Sequence, residues 1–184
     1  MSLNANVSGL GDPLAQFKVY IANRPDFSEY PSLATVKPLC VGEIQEIGRA
    51  CGNGWRKVFN VYAKLVFALN TECIVSLHQA QSWQNFREHT LLQRSSNTSL
   101  LFSCPQITEV KNKSNKTVHI IMGKTYAKSH SLPHSLIWLD NEFAVDPENR
   151  LLICPYFDYR QLSNIKIIRL VELIKQLGEG QTPT

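Results

Sequence analysis

At 184 residues the chain is long enough for one domain to bury roughly 70% of the surface its unfolded form exposes, so no disulfide or metal staple is required. Hydrophobic residues make up 43% and charged residues 18%, which excludes a disordered composition. The net charge of +4 is mildly basic and does not by itself select a partner.

Residues 1–13 are small and polar with two glycines, and residues 179–184 are equally poor in anchoring side chains, so both ends are expected to be loose around a single α/β domain over 14–178. Phe17 to Ala22 mixes aromatic and β-branched residues and stops at Asn23-Arg24-Pro25, which predicts a strand and a turn. Val41 to Cys51 places Ile44, Ile47 and Cys51 at helical spacing before Gly52 and Gly54. Trp55, Val58, Phe59, Tyr62, Leu65, Val66 and Leu69 then repeat at the same spacing, the strongest amphipathic pattern in the chain.

Cys73 to Leu77 suits a buried strand, with His78 at its end, and Ser82 is a cap for a helix from Trp83 to about Gln93. Leu100 to Ser103 and Thr117 to Met122 read as strands around a polar turn at Lys111 to Lys116, and Gly123 leads into a helix near Tyr126. Leu136 to Leu139 and Phe143 to Val145 are short strands, and Asp146-Pro147-Glu148-Asn149 is a turn before a strand at Leu151 to Cys154. A last helix, capped by Ser163 or Asn164, presents Ile167, Leu170, Val171, Ile174 and Leu177 along one face. Strands alternating with helices predict a three-layer α/β/α fold with a mostly parallel central sheet.

Five scattered cysteines, Cys40, Cys51, Cys73, Cys104 and Cys154, have no Cys-x-x-Cys or Cys/His zinc spacing and are read as reduced. The start of the chain has no signal-peptide pattern, and no apolar run approaches the length of a membrane span, so a cytoplasmic protein without membrane association is expected. Three Asn-x-Ser/Thr matches, at Asn97, Asn112 and Asn115, carry little meaning in that compartment.

Three segments carry candidate chemistry. Cys51 to Lys57 joins two helix patterns and puts Arg56 and Lys57 in the first turn of the second, where cations oppose the helix dipole; an anion would remove that conflict, and pairing with Glu43 or Glu46 is the alternative. Gly123-Lys124-Thr125 lies between a strand and a helix, but a nucleotide phosphate loop needs a glycine five positions earlier, where Val118 stands. Lys124 is therefore kept only as a ligand contact. Pro155 to Gln161 brings together Tyr156, Asp158, Tyr159 and Arg160: the aromatics suit stacking on a base or sugar, Arg160 suits an anion, and Asp158 suits proton transfer or water orientation. The alternative is that Tyr156 and Phe157 plug the core while Asp158 pairs with Arg160. His130 and His134 are separated by Pro133, which argues against a helical metal pair, and no metal or cofactor is expected.

Val118 to Ala127, followed by Leu151 to Asn164 and a closing helix, resembles the last third of uracil-DNA-glycosylase-like proteins. That resemblance implies a strand, a glycine turn and a helix leading to another strand and a substrate-contacting loop. The late loop reads Cys154-Pro155-Tyr156-Phe157, without the histidine of that family, and the family's early water-positioning motif has no counterpart. The other assignment is a bacterial family without an ascribed activity.

The combined reading is an anion-binding cleft for a nucleotide or nucleic acid, built from loops after the strands ending at Ala22, Leu77, Met122 and Cys154. Arg24, Arg56, Lys57 and Lys124 would supply positive charge; Tyr156, Asp158, Tyr159 and Arg160 would define the substrate side, with Asp158 the candidate catalytic group. The alternative is a non-catalytic interaction protein whose aromatic loop docks a protein partner or a second copy of the chain.

Overall fold

The computed structural model describes residues 7–70, 80–103, 105, 107 and 116–179. Its strands are β1 (Gly9–Gly11), β2 (Phe17–Tyr20), β3 (Val36–Lys37), β4 (Thr98–Leu101), β5 (Val118–Met122), β6 (Ile137–Trp138), β7 (Ala144–Asp146) and β8 (Leu151–Cys154). Its α-helices are α1 (Glu43–Ala50), α2 (Asn53–Asn70), α3 (Trp83–His89), α4 (Lys124–Lys128) and α5 (Asn164–Glu179). The sheet order is β3-β1-β4-β2-β5-β8-β7-β6. β4, β2, β5 and β8 are mutually parallel, while β1 runs antiparallel to β4 and β7 antiparallel to β8. This is the mostly parallel α/β sheet that the alternation of strands and helices predicts.

The period of two along the strands divides the core. Phe17, Val19, Val118, Ile120, Leu152 and Cys154 point to one face, where α1, α2, α3 and α5 bury Ile47, Phe59, Phe86 and Leu170 in the same cluster. Tyr20, Leu101, Ile121, Leu151 and Ile153 point to the other, which α4 covers through Ala127, helped by Leu132 and Leu136 from a loop and Trp138 from β6. The second helical layer is thus one short helix and its flanking loops. On the thick side, Tyr62 of α2 is fully buried, and its hydroxyl donates to the Ser99 carbonyl at 2.9 Å, anchoring the helix to β4. Ser82 caps α3, its side chain accepting from the Asn85 N–H at 3.1 Å.

The first correction concerns the start of the chain. Gly9–Gly11 lies within the segment expected to be loose, yet it is a fully buried strand. The two glycines that hid it are what allow it: a Cβ at Gly9 would lie 2.3 Å from the Leu100 carbonyl oxygen, and one at Gly11 2.4 Å from that of Thr98. β3 was equally absent from the sequence reading. The predicted strand at Cys73 to Leu77 with His78, Cys104, most of the Lys111 to Lys116 turn, and residues 1–6 and 180–184 lie outside the described residues.

The thin face holds a buried polar pair. The Tyr20 hydroxyl and His119 Nδ1 share a 2.8 Å hydrogen bond with the rings stacked at 5.8 Å, and His119 is only 8% exposed. Burial, reinforced by the positive charges of Lys18 and Arg150, pushes the imidazole down to about 4. A folded state that resists protonation loses stability as pH falls through the window between the unfolded value of 6.5 and the folded value of about 4. The loss expected across that window is roughly 3 kcal/mol. Urea midpoints at pH 7 and pH 4.5 should therefore converge in His119→Gln relative to the parent; an identical acid slope in both proteins would remove the imidazole as its source.

Candidate functional site

The chain leaves β2 toward β4 on one side and leaves β5 toward β8 on the other, although β2 and β5 are neighbours. Connections that diverge from adjacent parallel strands open a crevice at their carboxyl ends, the usual ligand position in open α/β sheets. A cleft of about 590 Å³ occupies that crevice, lined by Ala22 and Asn23 after β2, Met122 to Tyr126 and Ser129 around α4, Asn141 and Glu142 before β7, and Pro155, Tyr156 and Gln161 after β8. The volume is within the range of small-molecule sites. Gly123 forms the turn from β5 into α4 at φ +95°, a conformation that disfavours any side chain, while its N–H donates to the Cys154 carbonyl at 2.8 Å.

The charges on the cleft wall are held in place. Lys124 Nζ donates to the Asn141 carbonyl at 3.0 Å and lies 5.0 Å from the centre of the Trp138 ring. Glu142 accepts from Lys166 of α5 at 2.6 Å. Asp140 closes the same loop on itself, its Oδ1 accepting from the Glu142 and Phe143 N–H groups at 2.7 and 2.9 Å, while Arg169 pairs with its other oxygen and covers the Phe143 ring. Tyr156 is half-buried; burial raises its hydroxyl, a hydrogen bond with the Asn23 side chain draws it back, and the nearby Asp158 charge raises it again. The rest of the lining is mostly neutral: the amides of Asn23, Asn141 and Gln161, the hydroxyls of Thr125 and Ser129, and the side chains of Tyr126 and Tyr156.

The predicted site residues divide among four places. Lys124 and Tyr156 line the cleft. Asp158, Lys57, Tyr159 and Arg160 form a separate cluster: Lys57 Nζ reaches Asp158 at 2.7 Å and stands 4.9 Å from the Tyr159 ring centre, Arg160 flanks the same ring at 5.9 Å, and the Arg160 N–H donates to Asp158 Oδ1 at 2.9 Å. Phe157 plugs the core with its edge against Tyr62, as the structural alternative for this loop expected; the partner of Asp158, however, is Lys57 and not the Arg160 guanidinium. Arg24 donates to the carbonyls of Pro31 and Leu33 and to Ser8 Oγ and covers the Phe102 ring, which ties a surface loop to the start of β1. Arg56 lines another cavity, between α1, α2 and α3, and pairs with neither Glu43 nor Glu46. Arg56, Lys124 and Asp158 thus share no cavity among the described residues. Sequence reasoning missed Asn23, Thr125, Tyr126, Ser129, Asn141 and Glu142, which share no motif and lie in loops or in the short helix α4.

Fold and cleft define an α/β protein with a crevice at a topological switch point. Over residues 8–175 the chain matches the model of a family of unknown function, DUF6942, and it belongs to that family. No curated protein and no solved structure matches it. The expected likeness to uracil-DNA-glycosylase-like proteins has no counterpart in these comparisons. Among the described residues, no helix is long and apolar enough to cross a membrane.

The Lys57–Asp158 pair joins α2 to the loop after β8, and both side chains are largely buried. Burial would raise the Asp158 carboxyl, but the hydrogen bonds from Lys57 and from the Arg160 backbone outweigh it and hold the group below the usual carboxylate value. The contribution of the pair is complete above the unfolded value near 4 and fades as pH falls through the lowered folded one. Asp158→Asn should cost about 1 to 3 kcal/mol at pH 7. In urea melts the gap from the parent should close below about pH 4, and a gap that persists at pH 2 would contradict the ionic origin of the stability.

Proposed function

We propose that this protein binds a nucleotide-class ligand in the crevice between the carboxyl ends of β2, β5 and β8. The observation that carries the reading is the coincidence of the cleft with the switch point, where the loops after three parallel strands meet. Its chemistry supports a base and sugar more than a bare anion. Tyr126 and Tyr156 offer flat apolar surface for a ring, and Asn23, Asn141 and Gln161 offer the paired donors and acceptors that read polar ring edges. Lys124, whose ammonium keeps donors beyond the one given to Asn141, is the cation available to a phosphate. The resemblance of the last third to glycosylase-like proteins would place a nucleobase in the same region. The volume is that of a small-molecule site, which favours a free nucleotide over a polymer. Free thiols at Cys40, Cys51 and Cys154 accord with a reducing compartment.

Calorimetric titration with a panel of nucleosides and their monophosphates tests the reading. Tyr156→Ala should weaken both sets at least tenfold, whereas Lys124→Ala should weaken the phosphorylated set alone. A panel that shows no saturable binding, or affinities equal in both variants and the parent, would overturn it.

A second reading is self-association through the exposed apolar side chains of the loop after β8 and of α5. Tyr159 is 53% exposed, and Ile165 and Ile168, one helical turn apart on α5, are 80% and 60% exposed. Sedimentation velocity on the parent and on the Ile165→Asp, Ile168→Asp double variant decides it: this reading expects a dimer in the first and a monomer in the second, and a monomeric parent removes it.

A further inference from the structure

The cavity that holds Arg56 does not belong to the cleft, and its chemistry is different. It measures about 200 Å³ and lies where α1, α2 and α3 meet, with Ile44 and Phe59 as its apolar floor. Gln45 and Arg49 come from α1, Arg56 and Asn60 from α2, and Arg87 from α3, so three arginine side chains line one small space. Their convergence has a steric cause. A Cβ on Gly48 would lie 2.6 Å from Arg56 Cγ, so the missing side chain lets the arginine stem lie against α1.

The three cations are unequally satisfied. Arg87 donates to Asn60 Oδ1 and through Nε to Glu88 Oε1 at 2.7 Å, and Gln45 Nε2 holds the other oxygen of Glu88 at 2.6 Å. That network fixes Arg87 and balances its charge. The guanidinium groups of Arg49 and Arg56 have no hydrogen-bond or ion-pair partner among the described residues. Two unpaired cations thus stand beside a third over an apolar floor, their guanidinium donors open to solvent. The arrangement is stabilised by an anion that accepts from several planar donors at once, and phosphate matches guanidinium forks in that way.

We infer that this cavity is a second binding site, selective for the phosphate group of a small phosphate monoester. The charge count favours a monoester: three arginines less the Glu88 carboxylate leave two positive charges, and a phosphate monoester carries close to two negative charges at neutral pH. A carboxylate or a phosphodiester brings only one. Size points the same way. At about 30 Å³ for each water, the cavity holds roughly six or seven water volumes, enough for a phosphoryl group and a few attached atoms but not for a sugar with its base. Arg49 and Arg56 are exposed, so the remainder of the ligand projects past them into solvent. This site stands independently of the reading given to the cleft.

Amide NMR titration of the full chain with inorganic phosphate and with glycerol phosphate reads the location directly. Saturable shifts are expected at Gly48, Arg56 and Arg87, and binding should tighten between pH 5 and pH 7.5 as the second phosphate ionisation, near 6, is completed. The Arg49→Gln, Arg56→Gln double variant, altered only at exposed positions, should lose at least tenfold in affinity. Gly48→Ala keeps every charge but displaces the Arg56 stem and should lose a similar factor; if it fails to fold, the double variant alone decides. Lys124→Ala should leave the shifts at Gly48 and Arg56 in place, which separates this site from the cleft. Absence of saturable phosphate binding, undiminished affinity in the double variant, or single-stranded DNA binding more tightly than glycerol phosphate through the same residues would each overturn the proposal.

Discussion

The structure depends on the parallel pairing of β2 with β5 at the middle of the sheet. Phe17 faces Val118 and Val19 faces Ile120 across the pair, while Tyr20 stands beside Ile121 on the reverse side, so both faces of these strands are buried. A parallel pair needs a long crossover between its members, and the excursion between β2 and β5 contains α1, α2, α3 and β4. Because that excursion returns on the opposite side of β2 from β4, the loops after β2 and β5 part and leave the crevice open. The cleft is therefore a consequence of strand order before it is a property of any side chain.

The two faces of the sheet carry unequal cover, and the inequality places the two cavities. Four helices pack on the thick face, where α2 is buried deeply enough for the Tyr62 hydroxyl to reach the β4 backbone. Three of these helices meet around Gly48 with Arg49, Arg56 and Arg87 at the junction. The thin face has only α4 and loops, so its rim is open and lined by turn residues, the amides and hydroxyls that favour such positions for their local hydrogen bonds.

Much of this was legible in the sequence because burial leaves a period. The unbroken apolar run Leu151 to Cys154 coincides with β8, and the repeat from Trp55 to Leu69 marks α2 within a residue or two at each end. β1 was illegible for the opposite reason: two of its three residues are glycines, which have no side chain to carry a pattern. The Asp146-Pro147-Glu148-Asn149 turn was legible, and the antiparallel pairing of β7 with β8 that it makes was not drawn from it, although so few residues can join only antiparallel neighbours. At the site, the loops after β2, β5 and β8 could be located as strand ends, but the destinations of their side chains could not. Arg56 and Lys57 show why. Adjacent residues of a helix project about 100° apart, and that turn alone sends Arg56 to the Gly48 junction and Lys57 to Asp158.

Charge accounting then separates the cavities by what they lack. In the cleft, Lys124 already has a carbonyl and a ring, and Glu142 already has Lys166, so a ligand entering there trades water for amides, hydroxyls and aromatic faces at little electrostatic gain. At the helix junction one arginine is balanced by Glu88 and two are not, so an anion there would gain charge-assisted hydrogen bonds from donors the fold leaves unused. On the proposals above, recognition of shape and hydrogen-bonding pattern would belong to the first cavity, and recognition of charge to the second. A chain whose net charge is only +4 would do both through the uneven answering of its cations: Lys57, Lys166 and Arg169 are committed to carboxylates, while Arg49 and Arg56 have no carboxylate partner among the described residues.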